Sequence, residues 1–368
     1  MARSRIEDVA RRAGVSKTSV SFAFNQPENL NAATLERILA AANELGYRPS
    51  PIARRLARRR TDQIGLVVPQ STHDIFANPF LPELVRGIGD VCDEEGIAVV
   101  IVPPIKGSIE RAIEAALVDG LILLGLVPNH PELAQVRQSG TPLVGLDTEE
   151  FDGVDVIGID DENGARLAAE HLRALGHTDV AIVLIAEHPD SPVDEQHGIS
   201  ARRLAGSRRG FGLGVGRDEA PDGSIRLRVL STTVSIEGGR AVLEMLLSDP
   251  SPPTAVMTMS DITAIGILGA ALDAGIEVPR DLSIVGFDDI PAASWTTPRL
   301  TTVHQPIREK GRRAAHRLIS AIRAGSEHRP LVEVLPTRLV VRGTSAPPGQ
   351  NDGSGRRRGG GVAAAGSP

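Results

Sequence analysis

Carboxylates at the ends of short apolar runs are the first residues in this 368-residue sequence whose types and spacing can do chemistry. The runs IGLVVP (64–69), PLVGLD (142–147), DVIGID (155–160), TAVMTMSD (254–261), LSIVGFDD (282–289) and LTTVHQ (300–305) read as strands. They deliver Pro69 and Gln70, Asp147, Asp160, Asp261, Asp288 and Gln305 to strand ends. In open α/β sheets ligands lie at the carboxyl ends of strands. A carboxylate there can accept hydrogen bonds from vicinal hydroxyls, which suits a polyol. Asp288 and Asp147 lead the set. Asp160, Asp261 and Asp289 also open helices, so an N-cap role competes with a ligand role for them.

A second constellation lies at the amino end. Residues 1–60 carry 12 Arg and Lys against 5 Asp and Glu, and residues 61–342 carry 25 against 40. A basic head of net +7 on an acidic body of net −15 points the head alone at a polyanion. Catalytic arrangements are missing: there is no Walker A, HExxH or GxSxG motif. GFGLGVG (210–216) superficially resembles a dinucleotide loop, but it follows an arginine-rich helical stretch and its glycines do not fit GxGxxG. The nine histidines form no close pair with metal-ligand spacing, and one cysteine, Cys92, excludes both a disulfide framework and a Cys-based zinc site. No metal and no cofactor is expected.

These residues need elements to hold them. Ile6, Val9, Ala10 and Ala13 share one helical face, Gly14-Val15 breaks it, and Ser16 is suited to cap a second helix ending near Asn25. A third helix starts after Asn31 and ends before Gly46. Two helices joined by a tight glycine turn predict a helix-turn-helix. The second would point Lys17, Thr18 and Ser19, then Ser21 and Phe22, at base edges, with Ser16 and Asn25 on phosphates. The stretch PSPIARRLARRR (49–60) is too short to be helical alone. From Gln63 onward, strands alternate with amphipathic segments at 79–95, 161–175, 235–248, 261–274 and 306–324. That predicts parallel sheets covered on both faces, as one large sheet or two doubly wound lobes. The Gly, Ser, Pro and Ala of 343–368 predict a disordered tail.

The runs IEDVARRAGVSKTSVSFAFN (6–25), LNAATLERILAAANELGYRPSPIARRLA (30–57), ENGARLAAEHLRALGHTDVAIV (162–183), SDITAIG (260–266), VPRDLSIVGFDDI (278–290), PRLTTVHQPIREKG (298–311) and LPTRLVVRGT (335–344) resemble the lactose/galactose-repressor family of bacterial regulators. The resemblance implies an α/β chain: a three-helix head (1–49), a hinge helix (50–60), and a body (61–342) of two doubly wound lobes like periplasmic binding proteins. Lobe 1 would take 61–160 and 305–331, and lobe 2 161–303 and 334–342. It also implies that 50–58 becomes helical only on operator DNA. There Leu56 would wedge into the minor groove, with Arg54, Arg55 and Arg58 near phosphates and Ala53 and Ala57 letting two such helices cross. Phe22 departs from an arginine frequent in the family, so base preference does not carry over. Arg203 matches a cleft arginine, and Ser260 replaces a common asparagine.

The reading is a homodimeric repressor that binds operator DNA and a small-molecule effector, a sugar by resemblance. Aromatics for stacking a sugar are scarce: Trp295 is open to cleft-lining or loop-packing, and Phe76, Phe80, Phe151, Phe211 and Phe287 are the rest. With no apolar run of membrane length and no apolar stretch after the basic start, the cytoplasm is the expected compartment. A binding protein without DNA activity and an α/β enzyme are the competing classes; the basic head opposes the first and the missing motifs oppose the second. Leu56→Ala should weaken operator binding while leaving the body's ligand affinity unchanged. A fluorescence-anisotropy titration showing equal operator affinity would remove the wedge.

Overall fold

The computed structural model describes residues 4–48, 60–126, 130–150, 152–185 and 198–349. Ala53, Arg54, Arg55, Leu56, Ala57 and Arg58 lie outside them, as does Phe151.

The head is three helices, α1 (Ile6–Ala13), α2 (Lys17–Asn25) and α3 (Ala32–Glu44). Gly14 leaves α1 at φ +64°, a conformation in which a Cβ would be strained, and it turns the chain directly into α2. Ser16 Oγ accepts from Ser19 N at 3.0 Å, and Asn31 Oδ1 accepts from Thr34 N at 2.8 Å. Both caps are where the sequence put them. Val9, Ala13, Val20, Ala23, Ile38 and Ala42 close a small core between the three helices.

The body begins with β1 (Gln63–Val67), α4 (Thr72–Ala77), α5 (Phe80–Glu95), β2 (Ala98–Val102), α6 (Ile109–Ala115), β3 (Gly120–Leu124), α7 (Ala134–Gln138), β4 (Leu143–Leu146) and β5 (Asp155–Ile159). It crosses into a second lobe with α8 (Asp161–Ala174), β6 (Asp179–Ile185), α9 (Gly198–Gly210), β7 (Arg226–Thr232), α10 (Ile236–Leu247), β8 (Ala255–Thr258), α11 (Asp261–Asp273), β9 (Ser283–Asp288) and β10 (Thr301–His304). The chain returns with α12 (Ile307–Ala324) and β11 (Val332–Leu335), then crosses again to β12 (Arg338–Val340).

Two six-stranded sheets result, in the orders β11-β5-β4-β3-β1-β2 and β12-β10-β9-β8-β6-β7. Every pairing in the first is parallel, and in the second only β10–β12 is antiparallel. Leu66, Ile122, Val144, Ile157, Ile182, Val256 and Val285 are completely buried, as strands sandwiched between helices must be. The sequence left one sheet or two open before its family resemblance was considered, and the structure has two. β11 completes the first lobe, so the last crossover falls between Leu335 and Arg338, a few residues later than expected. The GFGLGVG stretch starts at the end of α9, after a helix and not a strand.

Helices α5 and α12 pack backbone to backbone. A Cβ on Gly87 would lie 2.0 Å from the Arg308 carbonyl, and one on Gly311 would lie 2.4 Å from that of Leu84. At the opposite end of α12 the Ile322 carbonyl accepts from Arg60 Nη2 at 3.4 Å. Asp119, just before β3, holds the incoming chain more firmly: Oδ1 accepts from Thr61 N at 2.7 Å and Oδ2 from Asp62 N at 2.9 Å. The hinge segment therefore enters the body at the amino ends of the strands, opposite the carboxyl ends that carry the candidate ligand residues. No described helix is long and apolar enough to cross a membrane.

The expectation of disorder from residue 343 is corrected over 343–349. Thr344 is fully buried; its hydroxyl donates to the Ile284 carbonyl at 2.6 Å, and its carbonyl accepts from Ile284 N at 2.7 Å. Ala346 O lies 2.9 Å from His177 Nε2, so that nitrogen carries the proton, and Thr254 Oγ1 lies 2.9 Å from Nδ1. Burial lowers the His177 pKa, keeping the ring neutral. Composition misled because seven residues that cannot form a core can still complete one. Residues 350–368 lie outside the described residues. A chain ending at Arg342 should melt about 5 °C below one ending at Gly349, since a few kcal/mol of buried hydrogen bonding is lost. Equal melting temperatures in calorimetry would show that the segment adds nothing.

Candidate functional site

Two places combine exposed or unpartnered polar groups with a rigid scaffold. The first is the outer face of α2. Lys17 and Thr18 are exposed, and Phe22 is 36% exposed, a large apolar side chain left in solvent. Ser19, Ser21 and Asn25 are half-buried. Ser16 spends its hydroxyl on the cap, and Asn25 Nδ2 donates to Ser21 Oγ at 3.2 Å. Lys17 Nζ donates to Glu7 Oε1 at 2.6 Å, an exposed ion pair screened by solvent. A phosphate or a guanine edge can displace so weak a partner. The Lys17 hydrogen bond and charge hold the Glu7 carboxyl below its usual range.

The second place is the junction of the lobes at the carboxyl ends of the strands. Asp147 follows β4 at φ +52°, and Asp288 ends β9 at φ +123°. Such backbone costs on the order of 1–3 kcal/mol per residue and survives only where the surroundings fix it. Here a chain of buried contacts does so. Lys310, on the first turns of α12, donates to Asp147 Oδ2 and, at 2.7 Å, to Gln305 Oε1. Gln305 Nε2 donates to Asp288 Oδ1 at 2.6 Å. Because an ammonium only donates, Lys310 dictates which end of the Gln305 amide meets Asp288.

Beside this chain, Arg203 of α9 donates to Asp161 Oδ1 at 2.8 Å and to the Met259 carbonyl at 2.6 Å. Its guanidinium stacks on Phe287, 3.6 Å from the ring centroid. The Lys310 ammonium lies 5.0 Å from the Phe80 ring centroid. Among the described residues of this junction, Asp147 Oδ1 is buried without a hydrogen-bond partner, while the Ser260 hydroxyl lies by Asp288 and favours its ionised form. Ser260 occupies the N-cap position of α11 yet makes no capping bond. A buried acceptor left unpaired costs ~1–3 kcal/mol.

The structure thus brings Asp147, Arg203, Ser260, Asp288 and Gln305 together. It gives Asp160 and Asp261 other work. Asp160 caps α8, accepting from Asn163 N at 3.0 Å. Asp261 is completely buried, accepting from Thr302 Oγ1 at 2.5 Å and Ile290 N at 2.9 Å. Pro69 and Gln70 follow β1, with Gln70 exposed. Trp295 is 77% exposed, so it packs into no loop core. Lys310 and Asp161 escaped the sequence reading. Lys310 had a signal: it falls on the apolar stripe of α12 with Ile307, Gly311, Ala314 and Leu318, in a chain with three lysines against 37 arginines.

Residues 5–50 match a family described as bacterial regulatory proteins, lacI family, and residues 169–345 match a periplasmic binding protein-like domain. The ribose operon repressor of Escherichia coli (strain K12) is 33% identical over 351 residues, 92% of this chain and 99% of that protein. Among solved structures, a lac repressor dimer bound to operator and the anti-inducer ONPF is similar with a TM-score of 0.74 and 28% identity, over 94% of this chain and 100% of that one. A complex of the transcriptional regulator CelR with cellobiose gives 0.65 and 28%, over 93% and 100%.

Burial raises the Asp288 carboxyl to about 6, against the opposing pull of Arg203, Gln305, Lys310 and Ser260. Burial, then the charge of Asp288, holds the Asp261 carboxyl well above the usual range. A carboxyl raised in the folded state contributes stability that is fully present below its unfolded value near pH 4 and lost as pH rises to about 6. Asp288→Asn keeps the acceptor for Gln305 Nε2 and removes that loss. It should be more stable than the parent at pH 7 by about 2–3 kcal/mol, with the gain vanishing toward pH 4. Calorimetry across pH 4–8 checks this; a pH-independent difference, or a loss at pH 7, would contradict it.

Proposed function

The chain belongs to the lacI family of bacterial regulatory proteins, and on that premise we propose that it is a repressor acting as a homodimer in the cytoplasm. Each head takes one half of a pseudo-palindromic operator. In this reading Lys17, Thr18, Ser19, Ser21 and Phe22 face base edges, while Ser16, Asn25 and the amide end of α2 meet phosphates. Phe22 meets a thymine methyl or the sugar-phosphate backbone in place of a guanine edge, since a phenyl ring donates no hydrogen bond. The hinge residues 53–58 enter the minor groove, with Leu56 as the wedge. No catalytic step is assigned to the body.

The interlobe cleft takes the effector, a sugar or related polyhydroxylated metabolite. The observation that carries this is the buried, unpartnered Asp147 Oδ1, joined to Asp288 through Lys310 and Gln305. A ligand hydroxyl can donate to that oxygen. Cellobiose, held by the similar CelR, is of the polyhydroxylated class. Helix α12 supports the link to DNA: Lys310 stands in the cleft, and Ile322, about 18 Å along the axis, meets Arg60 at the exit of the hinge. A change in lobe orientation at the cleft therefore moves the anchor of the hinge. Coupling free energies of this kind are typically 1–3 kcal/mol.

A fluorescence-anisotropy titration on DNA from upstream of the protein's own gene tests the reading, with a scrambled duplex as control at about 150 mM salt. The expected preference is ~10³-fold or more. Lys17→Ala should weaken the native duplex about tenfold, and added sugar should change the affinity of the parent protein. Equal binding to both duplexes at every sugar tested would refute a specific regulator of that gene.

A further inference from the structure

We propose that Lys310 is a positioning residue for the effector, the group that sets both carboxylates of the cleft in binding geometry and ties the two lobes into one hydrogen-bonded unit. This rests on the reading of the cleft as the effector site, and adds a residue that neither the motifs nor the strand-end rule select.

The helix on which Lys310 sits would be more simply built without it. Its neighbours on the buried face of α12 are Ile307, Gly311, Ala314, Ala315 and Leu318, and Lys310 is completely buried among them. A lysine there must desolvate an ammonium, a cost that an apolar residue of similar length avoids. What the lysine supplies is direction. One hydrogen bond holds Asp147 by Oδ2, which leaves Oδ1 as the buried, unpartnered acceptor. A second holds Gln305 by Oε1, which turns Nε2 toward Asp288. Asp147 belongs to the first lobe, Asp288 to the second, and Gln305 to the crossover between them. Phe80 covers the ammonium on a further side. The charged groups around this relay are Asp147 after β4, Asp288 and Asp289 at the end of β9, Arg203 of α9 and, behind Asp288, Asp261 of α11.

Lys310→Met keeps the apolar stripe and the length of the side chain but removes every donor. In that variant Asp147 is a buried carboxylate without a cation, and such a carboxyl is pushed up. Its ionisation then costs stability as pH rises, so the melting-temperature deficit of Lys310→Met against the parent should be small at pH 4.5 and grow by about 4 °C or more by pH 8. Adding Asp147→Asn should flatten that profile. A side chain that merely fills space gives a deficit that does not vary with pH. This arm uses the full chain and no ligand.

The ligand arm uses D-ribose, D-glucose, D-galactose and cellobiose, titrated calorimetrically into the parent and into Lys310→Met at pH 7. Any of these that binds the parent should bind the variant at least tenfold more weakly. A flat pH profile overturns the proposal, and so does a sugar that binds both proteins equally. If none of the four binds the parent, the sugar reading of the cleft loses its support, and the pH profile alone still decides the role of Lys310.

Discussion

An ammonium removed from water must be met by acceptors, and that requirement around Lys310 organises the centre of this molecule. Three directions are filled by a carboxylate, an amide oxygen and a ring face. Each of those partners belongs to a different part of the chain: the end of β4, the crossover before α12 and the start of α5. The lobes therefore meet through a small set of hydrogen bonds with one sense of donation, from lysine to glutamine to aspartate. Arg203 and Asp161 repeat the solution in the second lobe, where a buried guanidinium finds a carboxylate, a carbonyl and the face of Phe287. Buried charge of this kind adds little net stability compared with apolar packing. What it fixes is orientation, the property a ligand-binding cleft needs.

Much of the fold was legible because its signals are local. The caps Ser16 and Asn31, the glycine turn at Gly14 and the strand runs from Ile64 onward each depend on residues a few positions apart. The helices over 79–95 and 161–175 follow from periodicity alone. The site was legible only in part. A strand-end rule finds Asp147, Asp288 and Gln305 because it depends on topology, but it cannot separate them from Asp160 and Asp261, which occupy equivalent sequence positions and serve as a cap and an internal strut. That distinction depends on neighbours far away in sequence, Thr302 and Ile290 for Asp261. Lys310 was hidden for the opposite reason: periodicity marks its position as core, and core is where a lysine is least expected. The segment 343–349 was misread because low complexity describes composition, while Thr344 and Ala346 are each held by several well-placed hydrogen bonds.

The two ends of the first sheet divide the labour of the protein. Carboxyl ends of its strands carry Asp147 into the cleft, and amino ends receive the chain emerging from the hinge through Asp119. Parallel strands make this separation automatic, since all of them present the same end to the same side. An antiparallel sheet would have mixed the two functions on each edge. The head, by contrast, is held by a small core and two caps, and Lys17 on its exposed face is paired with Glu7 in solvent. Rigidity is concentrated where a small ligand must be recognised, and the surface that faces a long polyanion is left free to adjust.

The backbone contact between Gly87 and Gly311 has a mechanical consequence. Two helices separated by side chains can slide past one another by repacking rotamers, whereas helices whose carbonyls rest against each other's glycines have no such slack. Gly311 is the residue next to Lys310. Any displacement of the α12 backbone at this point is therefore passed to α5 with little slack. A side chain larger than hydrogen at position 87 or 311 would force the two helices apart and give α12 a freedom of movement against α5 that the parent lacks.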